Sequence, residues 1–355
     1  MNLLFVTSTL SSGGTERVIS LLANELSHRG HQVEIVCLNR HVVFYPIDEQ
    51  VKVVFAEEEA GTSFIGKKML WLRKYVNTTR PDAVLPFMTD VYSVTLVSLM
   101  GSGVPVISSE RYDPRASNLL YKTIRWLFLR LTTHLVVQTE DIKSCYSKAL
   151  QKRTTVIYNP VNEKVFEDSL VRKEKQNKIV SVGRLAPQKN FPMLINAFAK
   201  IKEEFPDYQL VLFGEGPLRE DLQSQIDSLN LSESVLLAGR SNEVIEELRS
   251  AKLFCMSTNA EGMSNALIEA VCVGLPVITT NVSGAEELVD DGKTGFITPI
   301  GDETQLVIAL RKMLGNEDLM KEMGERNLQK RELFNLKTIA NEWENVIKSV
   351  VYEKK

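Results

Sequence analysis

The sequence predicts an α/β protein built from two consecutive parallel-sheet domains, each Rossmann-like. Three observations predict it. The 355 residues exceed one ordinary core and suit two domains of about 150–190 residues. Short β-rich runs alternate with helix-period stretches almost throughout, the pattern of a parallel sheet wrapped by helices on both faces. One stretch breaks the alternation, NPVNEKVFEDSLVRKEKQNK at 159–178, with a proline, asparagines and a charged run. It reads as a linker, and the alternation resumes after it.

The elements follow in order. LLFVT is the first strand, and the helix after it carries Val18, Leu21, Leu22 and Leu26 on one face. VEIVCL, VKVVF, AVLPF, VPVISS and HLVVQT continue the first set. IVSVG opens the second set, followed by YQLVLFG, SVLLAG, KLFCMS, LPVITT and GFITP. No internal repeat relates the two. From Leu336 an amphipathic helix with Ile339, Trp343, Ile347 and Val350 in phase is expected to fold back on the first domain. The expected boundaries are an acceptor-side domain over 1–160, a linker over 161–177, a donor-side domain over 178–335 and the terminal helix over 336–355.

Composition narrows the function classes. A hydrophobic fraction of 44% and a charged fraction of 25% are those of a soluble globular chain. Residues 1–160 hold 18 Lys+Arg against 14 Asp+Glu, while the remainder holds 24 against 31, so the first half is the basic one. That hints at an anionic partner but falls well short of a nucleic-acid binder, and no aromatic-basic RNA motif is present. Cys37, Cys145, Cys255 and Cys272 are far apart with no C-x-x-C pair, so buried reduced thiols are expected rather than disulfides or structural zinc. The chain begins on a strand and reaches Glu16 and Arg17 quickly, unlike a signal peptide, and no 18-residue apolar run follows. A cytoplasmic protein that does not span a membrane is expected.

In open α/β sheets ligands bind beyond the carboxyl ends of the strands. Two such sheets facing one another would form a cleft lined by their strand-exit loops. After the first strand comes TLSSGGTERV, where Gly13 and Gly14 precede a helix start that favours an anion. The spacing is neither that of a dinucleotide fingerprint nor that of a P-loop. SVGRLAPQKN places Gly183, Arg184 and Lys189 around Pro187, and a planar fork beside a point charge suits a diphosphate. LFGEGPLRE adds Gly214 and Gly216, and LLAGRSNEV adds Gly239 and Arg240. In AEGMSNALIEA, Glu261 lies in a strand-exit loop and Glu269 more than a turn into the next helix, capped by Ser264 or Asn265. The amides of Gly262, Met263, Ser264 and Asn265 would form a positive nest, while the carboxylates suit paired sugar or ribose hydroxyls. VSGAEELVDDGKTGF adds a further glycine loop with Glu287.

Gly-Gly-Thr-Glu-Arg after the first strand, Gly-Arg-Leu with Lys189 five residues after Arg184, and Glu261 and Glu269 separated by seven residues together resemble the retaining family-four glycosyltransferases. The resemblance covers nearly the whole chain in order and spacing. It implies the GT-B fold and a nucleotide-diphosphate sugar donor held mainly by the second domain, most commonly a UDP-sugar. It implies that Arg184 and Lys189 hold the diphosphate, Glu269 the ribose, Glu261 the donor sugar, and that Gly14 approaches from the opposite side. Many members carry a histidine in a first-domain loop that here reads ISSERYDP, while the four histidines lie elsewhere. Glu110, Arg111 and Asp113 are the candidates to replace it on the acceptor side.

No D-x-D occurs in the chain, so no metal is expected and Arg184, Lys189 and helix N-termini would stabilise the leaving diphosphate. Retention requires either a covalent nucleophile, for which Glu261 is the candidate, or front-face attack, which the resemblance favours. Residues 63–80 should turn Ile65, Met69, Leu72 and Val76 inward and Phe64, Lys68, Trp71 and Tyr75 outward. Residues 121–131 should turn Ile124, Leu127, Phe128 and Leu131 inward, with Lys122, Arg125, Trp126 and Arg130 around the rest. Aromatics among cations suit an anionic membrane surface or a lipid-diphosphate acceptor. The preferred reading is thus transfer to a glycan or polyprenyl-diphosphate-linked acceptor. The rivals are a nucleotide-sugar epimerase or sugar phosphorylase on the same architecture, and a non-catalytic sugar-nucleotide binding module.

Overall fold

The computed structural model describes residues 1–167 and 175–352, so 168–174 of the expected linker and the last three residues of the expected terminal helix lie outside the described residues. The chain divides into two compact units, Met1–Pro160 with Leu336–Lys355, and Val161–Asn335.

In the first unit the strands are β1 (Asn2–Thr7), β2 (Gln32–Cys37), β3 (Lys52–Phe55), β4 (Ala83–Pro86), β5 (Ile107–Ser109), β6 (His134–Val137) and β7 (Thr154–Val156). Its helices are α1 (Gly14–His28), α2 (Ala56–Glu59), α3 (Ile65–Thr79), α4 (Thr89–Ser98), α5 (Leu119–Phe128), α6 (Glu140–Ser144) and α7 (Lys148–Gln151). All strand pairs are parallel, in the orders β3-β2-β1-β4 and β5-β6-β7. Bridges Val84–Val106 and Phe87–Ser109 connect the two sets. Strand alternation divides the core: Leu3 and Phe5 face α1, whereas Leu4 and Val6 face α3 and α4. β7 is a strand the hydrophobic pattern does not announce, since TTV is short and follows Lys152 and Arg153 directly.

The second unit has β8 (Gln176–Val182), β9 (Gln209–Phe213), β10 (Val235–Gly239), β11 (Ala251–Met256), β12 (Val277–Thr280) and β13 (Gly295–Thr298). Between and after them come α8 (Phe191–Ala199), α9 (Arg219–Ser228), α10 (Val244–Ser250), α11 (Asn265–Cys272), α12 (Ala285–Leu288), α13 (Glu303–Leu314) and α14 (Glu317–Leu328). Its sheet runs β10-β9-β8-β11-β12-β13, all parallel. Counted within the unit this is 3-2-1-4-5-6, the doubly wound order whose switch point falls between β8 and β11.

The final helix, α15 (Leu336–Tyr352), belongs to the first unit, where Ile339, Trp343 and Ile347 are buried against β1, β4 and α1. Phe5, Phe87 and Trp343 stack in sequence at 5.7 and 5.6 Å between centroids. Three of the four free cysteines are buried, while Cys145 is exposed, contrary to the expectation of burial, because it ends the short surface helix α6. Among the described residues no helix is long and apolar enough to cross a membrane.

Candidate functional site

The site grows from the exits of β8 and β11, on either side of the second unit's switch point. After β8 the chain is pinned twice: the Gly183 amide donates to the Phe213 carbonyl at 2.9 Å and the Leu185 amide to the Glu215 carbonyl at 3.1 Å. Leu185 is fully buried while Arg184 between the pins is turned outward, and its guanidinium has no partner among the described residues. Gly214, at φ 139°, lies so close that a Cβ there would sit 1.9 Å from the Gly183 carbonyl oxygen. Its bare backbone is thus what lets β9 run against the Arg184 turn. A Cβ on Gly183 would meet the Lys189 side chain at 3.0–3.3 Å, so that glycine gives the lysine its path.

The β11 exit is laced to the β8 exit. Thr258 Oγ1 donates to the Gln188 carbonyl at 2.9 Å, Ser257 Oγ to the Asn190 carbonyl at 3.0 Å, and the Asn259 amide to the Gln188 carbonyl at 2.8 Å. Gln188 Nε2 returns a bond to the Ala260 carbonyl at 2.5 Å, and Thr280 Oγ1 from β12 holds the Thr258 carbonyl at 2.6 Å. This frame brings Lys189 Nζ onto Glu261 Oε1 as an ion pair, with Thr258 Oγ1 3.2 Å from the same oxygen. Both side chains remain partly accessible, at 18% and 12%. Ser264 rather than Asn265 caps α11, accepting from the Leu267 amide at 3.4 Å. Glu269 follows in the second turn, buried, as are Gly262, Met263 and Ser264, and Asn265 is half-buried. Arg240 extends exposed from the end of β10, and Gly239 beside it adopts φ 74°. The structure thus brings together Gly183, Arg184, Lys189, Gly214, Glu261 and the start of α11. Thr258, Gln188 and Asn259, which order the loops, are unmarked in the sequence except as a polar run next to the glutamate.

The first unit repeats the topology with a different outcome. Gly14 is exposed at the start of α1 and Gly13 caps the helix with no side-chain bond. Glu16 already places a carboxylate in that first turn, its pKa raised by burial. Thr15 Oγ1 reaches Met88 Sδ at 3.5 Å, joining the β1 and β4 exits, and Met88 holds a left-handed φ of 79°, a conformation that costs energy away from glycine.

Glu110, after β5, is fully buried and saturated. Arg125 Nε donates to Oε2 at 2.7 Å, Tyr92 Oη at 2.9 Å and Thr89 Oγ1 at 3.1 Å, while the Arg111 amide donates to Oε1 at 3.2 Å. Burial works against the charge on Arg125, but Glu110 keeps its pKa above the ordinary value. Asp113 is taken by Arg115, which bonds it through Nε and Nη2 and also pairs with Asp141. Arg111 differs. Only 7% exposed, it gives Nη1 to Asn159 Oδ1 at 2.5 Å and lies over the rings of Phe87 and Trp343 at 5.0 and 5.8 Å. Its Nε and Nη2 have no hydrogen-bond partner among the described residues, and burial pulls its pKa down to about 9.

Two helix readings are corrected. In α3, Leu72 and Val76 do face the core, but Ile65 is exposed. Lys68 is buried instead, because its ammonium reaches Asn39 Oδ1 at 2.7 Å. Trp71 and Tyr75, expected outward, stack on one another at 4.8 Å and pack against the core. In α5, Leu127 and the following Leu131 face out rather than in, since the inward stripe is Arg125 and Leu129. Arg125 is drawn in by Glu110, a partner eleven residues before the 121–131 segment.

Two units of parallel sheet in doubly wound order, matched along nearly the whole chain by glycosyltransferase structures, are the GT-B fold. Comparison with known proteins agrees. The profile for Glycosyltransferase Family 4 matches residues 12–165 and that for Glycosyl transferases group 1 matches residues 162–330; the chain belongs to the family-four glycosyltransferases. An α-1,4-N-acetyl-D-galactosaminyltransferase of Campylobacter jejuni, named for a diNAcBac-PP-undecaprenol-linked glycan, is 28% identical over 99% of both chains. The amylovoran biosynthesis glycosyltransferase AmsD of Erwinia amylovora is 24% identical over 97% of this chain and 99% of that one. Among solved structures, sucrose-phosphate synthase of Thermosynechococcus elongatus superposes with a TM-score of 0.84 over 99% of both chains at 16% identity. Anabaena HepE, in complex with UDP, gives 0.81 over 98% of this chain and all of its own at 17% identity.

Proposed function

We propose that the protein is a retaining, metal-independent glycosyltransferase of the cytoplasm. It moves a hexose or N-acetylhexosamine from a UDP-sugar, or another nucleotide-diphosphate sugar, to a glycan or polyprenyl-diphosphate-linked acceptor. The observation that carries this reading is the laced pair of loops that leaves Arg184 unpartnered among the described residues and sets Lys189 against Glu261. Arg184 offers its planar fork to the diphosphate, and Lys189 is shared between Glu261 and the leaving group, so charge growing on the diphosphate meets fixed cations. Glu269 takes the ribose hydroxyls, with Gly214 and Arg240 nearer the base.

The C1–diphosphate bond breaks while the acceptor hydroxyl attacks from the same face, and its proton passes to a donor phosphate oxygen. Glu261 serves the sugar hydroxyls better than it would serve as nucleophile, because Lys189 and Thr258 occupy its Oε1. On the acceptor side Arg111 is the strongest of the three candidates. Glu110 and Asp113 are committed to Arg125 and Arg115, whereas Arg111 retains two N–H groups to give. The names of relatives that act on undecaprenol-linked glycans support the acceptor class, and for such an acceptor we place the site of action at the inner face of the membrane.

The test is nucleoside-diphosphate release from a panel of UDP- and GDP-sugars with EDTA present, with and without a polyprenyl-diphosphate-linked sugar. Release that survives EDTA, rises with acceptor and collapses in Glu261→Ala is expected. Conversion of the donor without acceptor, or donor binding with no release, would replace this reading with the epimerase or the binding module.

A further inference from the structure

α5 is built inside out. Its inward side is a charge: Arg125, 3% exposed, fixed to Glu110 at 2.7 Å and to Ser117 Oγ at 3.1 Å. Its outward side is apolar, with Leu119 at 81%, Leu120 at 65%, Trp126 at 61% and Leu127 at 50% exposure. A frayed helix does not explain this, since Asn118 caps its start by accepting from the Tyr121 amide at 3.0 Å and Arg125 anchors its middle. Isolated exposed leucines are ordinary; a continuous stripe over successive turns marks a surface that something covers.

The charge around the stripe selects the occupant. No acidic residue occurs between Asp113 and Glu140. Lys122 is exposed and has no partner among the described residues. Arg130 lies flat on the Trp126 ring at 3.6 Å, so a cation and an indole share the outer face. Leucine and tryptophan flanked by cations is the composition of a helix lying in the headgroup region of an anionic bilayer. α3 contributes to the same layer through α4, and its exposed Phe64 and Leu70 stand beside Lys67 and Lys74.

We propose that α5 docks the protein on an anionic membrane surface, with Leu119, Leu120, Trp126 and Leu127 entering the headgroup region and Lys122 and Arg130 pairing with lipid phosphates. The docked helix is tied through Arg125 and Glu110 to the exit loop of β5, which carries Arg111. The proposal deepens the lipid-linked acceptor reading and rests on it for its purpose. Vesicle binding is measured without donor or acceptor, so the two fail separately.

The experiment is sedimentation of the full chain with phosphatidylglycerol–phosphatidylcholine vesicles and with phosphatidylcholine alone. Wild type should sediment with the mixed vesicles and little with the neutral ones. Lys122→Glu with Arg130→Glu should lower binding to the mixed vesicles by about 30-fold or more, at roughly a factor of five per cation near the surface. Trp126→Ser with Leu127→Ser should lower it ~10-fold, with unchanged melting because both side chains are exposed. Wild type remaining in the supernatant, or either variant binding as wild type does, overturns the proposal. So does a wild-type dimer that the serine variant dissociates while neither binds vesicles, which would give the face to a second copy of the chain.

Discussion

The two units repeat one strand order and use it differently at the strand exits. In the second, the carboxylate at the switch point is half-paired: Glu261 holds one lysine and remains partly accessible, next to an arginine with no side-chain partner among the described residues. In the first, Glu110 is fully buried and receives a guanidinium, a phenol, a hydroxyl and a main-chain amide. The same residue type thus keeps accessible bonding capacity in one place and serves as scaffolding in the other. What separates them is hydrogen-bond capacity left over, since a saturated buried carboxylate has no lone pair to offer.

The sharpest way to break this comparison is to remove one charged side chain from each unit in turn. Glu110→Ala should cost about 3–5 kcal/mol of stability, because it strands Arg125 as an unpaired buried charge; chemical denaturation measures it. Arg184→Ala should leave the denaturation midpoint unchanged but raise the transfer barrier by ~2.7–4 kcal/mol, read as kcat/KM for the donor. If the arginine variant melted early, or the glutamate variant stayed stable and lost only turnover, the assignment of roles would be reversed.

A smaller effect tests the loop that presents Glu261. Ser264→Ala removes the α11 cap and should cost about 1 kcal/mol, with donor KM rising as the preceding loop loosens. The smallest lies in the first unit, where Lys348, with Arg29 and His31, holds the Glu344 carboxyl at about 2, below its ordinary 4.5. A depressed carboxylate stabilises above its unfolded pKa and ceases to do so as pH falls from about 4.5 to about 2. Glu344→Gln should therefore melt lower than wild type at pH 7 by roughly 0.5–1 kcal/mol, and the two should converge near pH 2.

The clustering of candidate residues in the second unit was legible because it is local. Gly183, Arg184 and Lys189 sit in one turn, and Glu261 and Glu269 in one loop-helix junction, so spacing alone exposes them. The scaffold that aligns them, Thr258 on Gln188 and Thr280 on Thr258, joins loops about 20 to 70 residues apart and leaves no periodic trace. The first unit was less legible for the same reason. Helical period predicted that Arg125 and Leu127 would take opposite places from the ones they hold, because a single long-range ion pair with Glu110 outweighs an apolar stripe. Met88 with its positive φ and the buried cluster of Arg111 with Asn159 are tertiary products of strand exits meeting, which no window of sequence contains.

The most direct test of the central claim is calorimetric titration of UDP, and of GDP as its alternative, into wild type, Arg184→Ala and Glu110→Gln. If the second unit's switch-point loops hold the donor diphosphate, wild type binds one of the two. Arg184→Ala should then weaken it by about 10–100-fold, as loss of a charge-assisted bond requires, and Glu110→Gln should bind as wild type does. Binding that survives intact in Arg184→Ala and fails in Glu110→Gln would contradict the account and move the donor to the first unit.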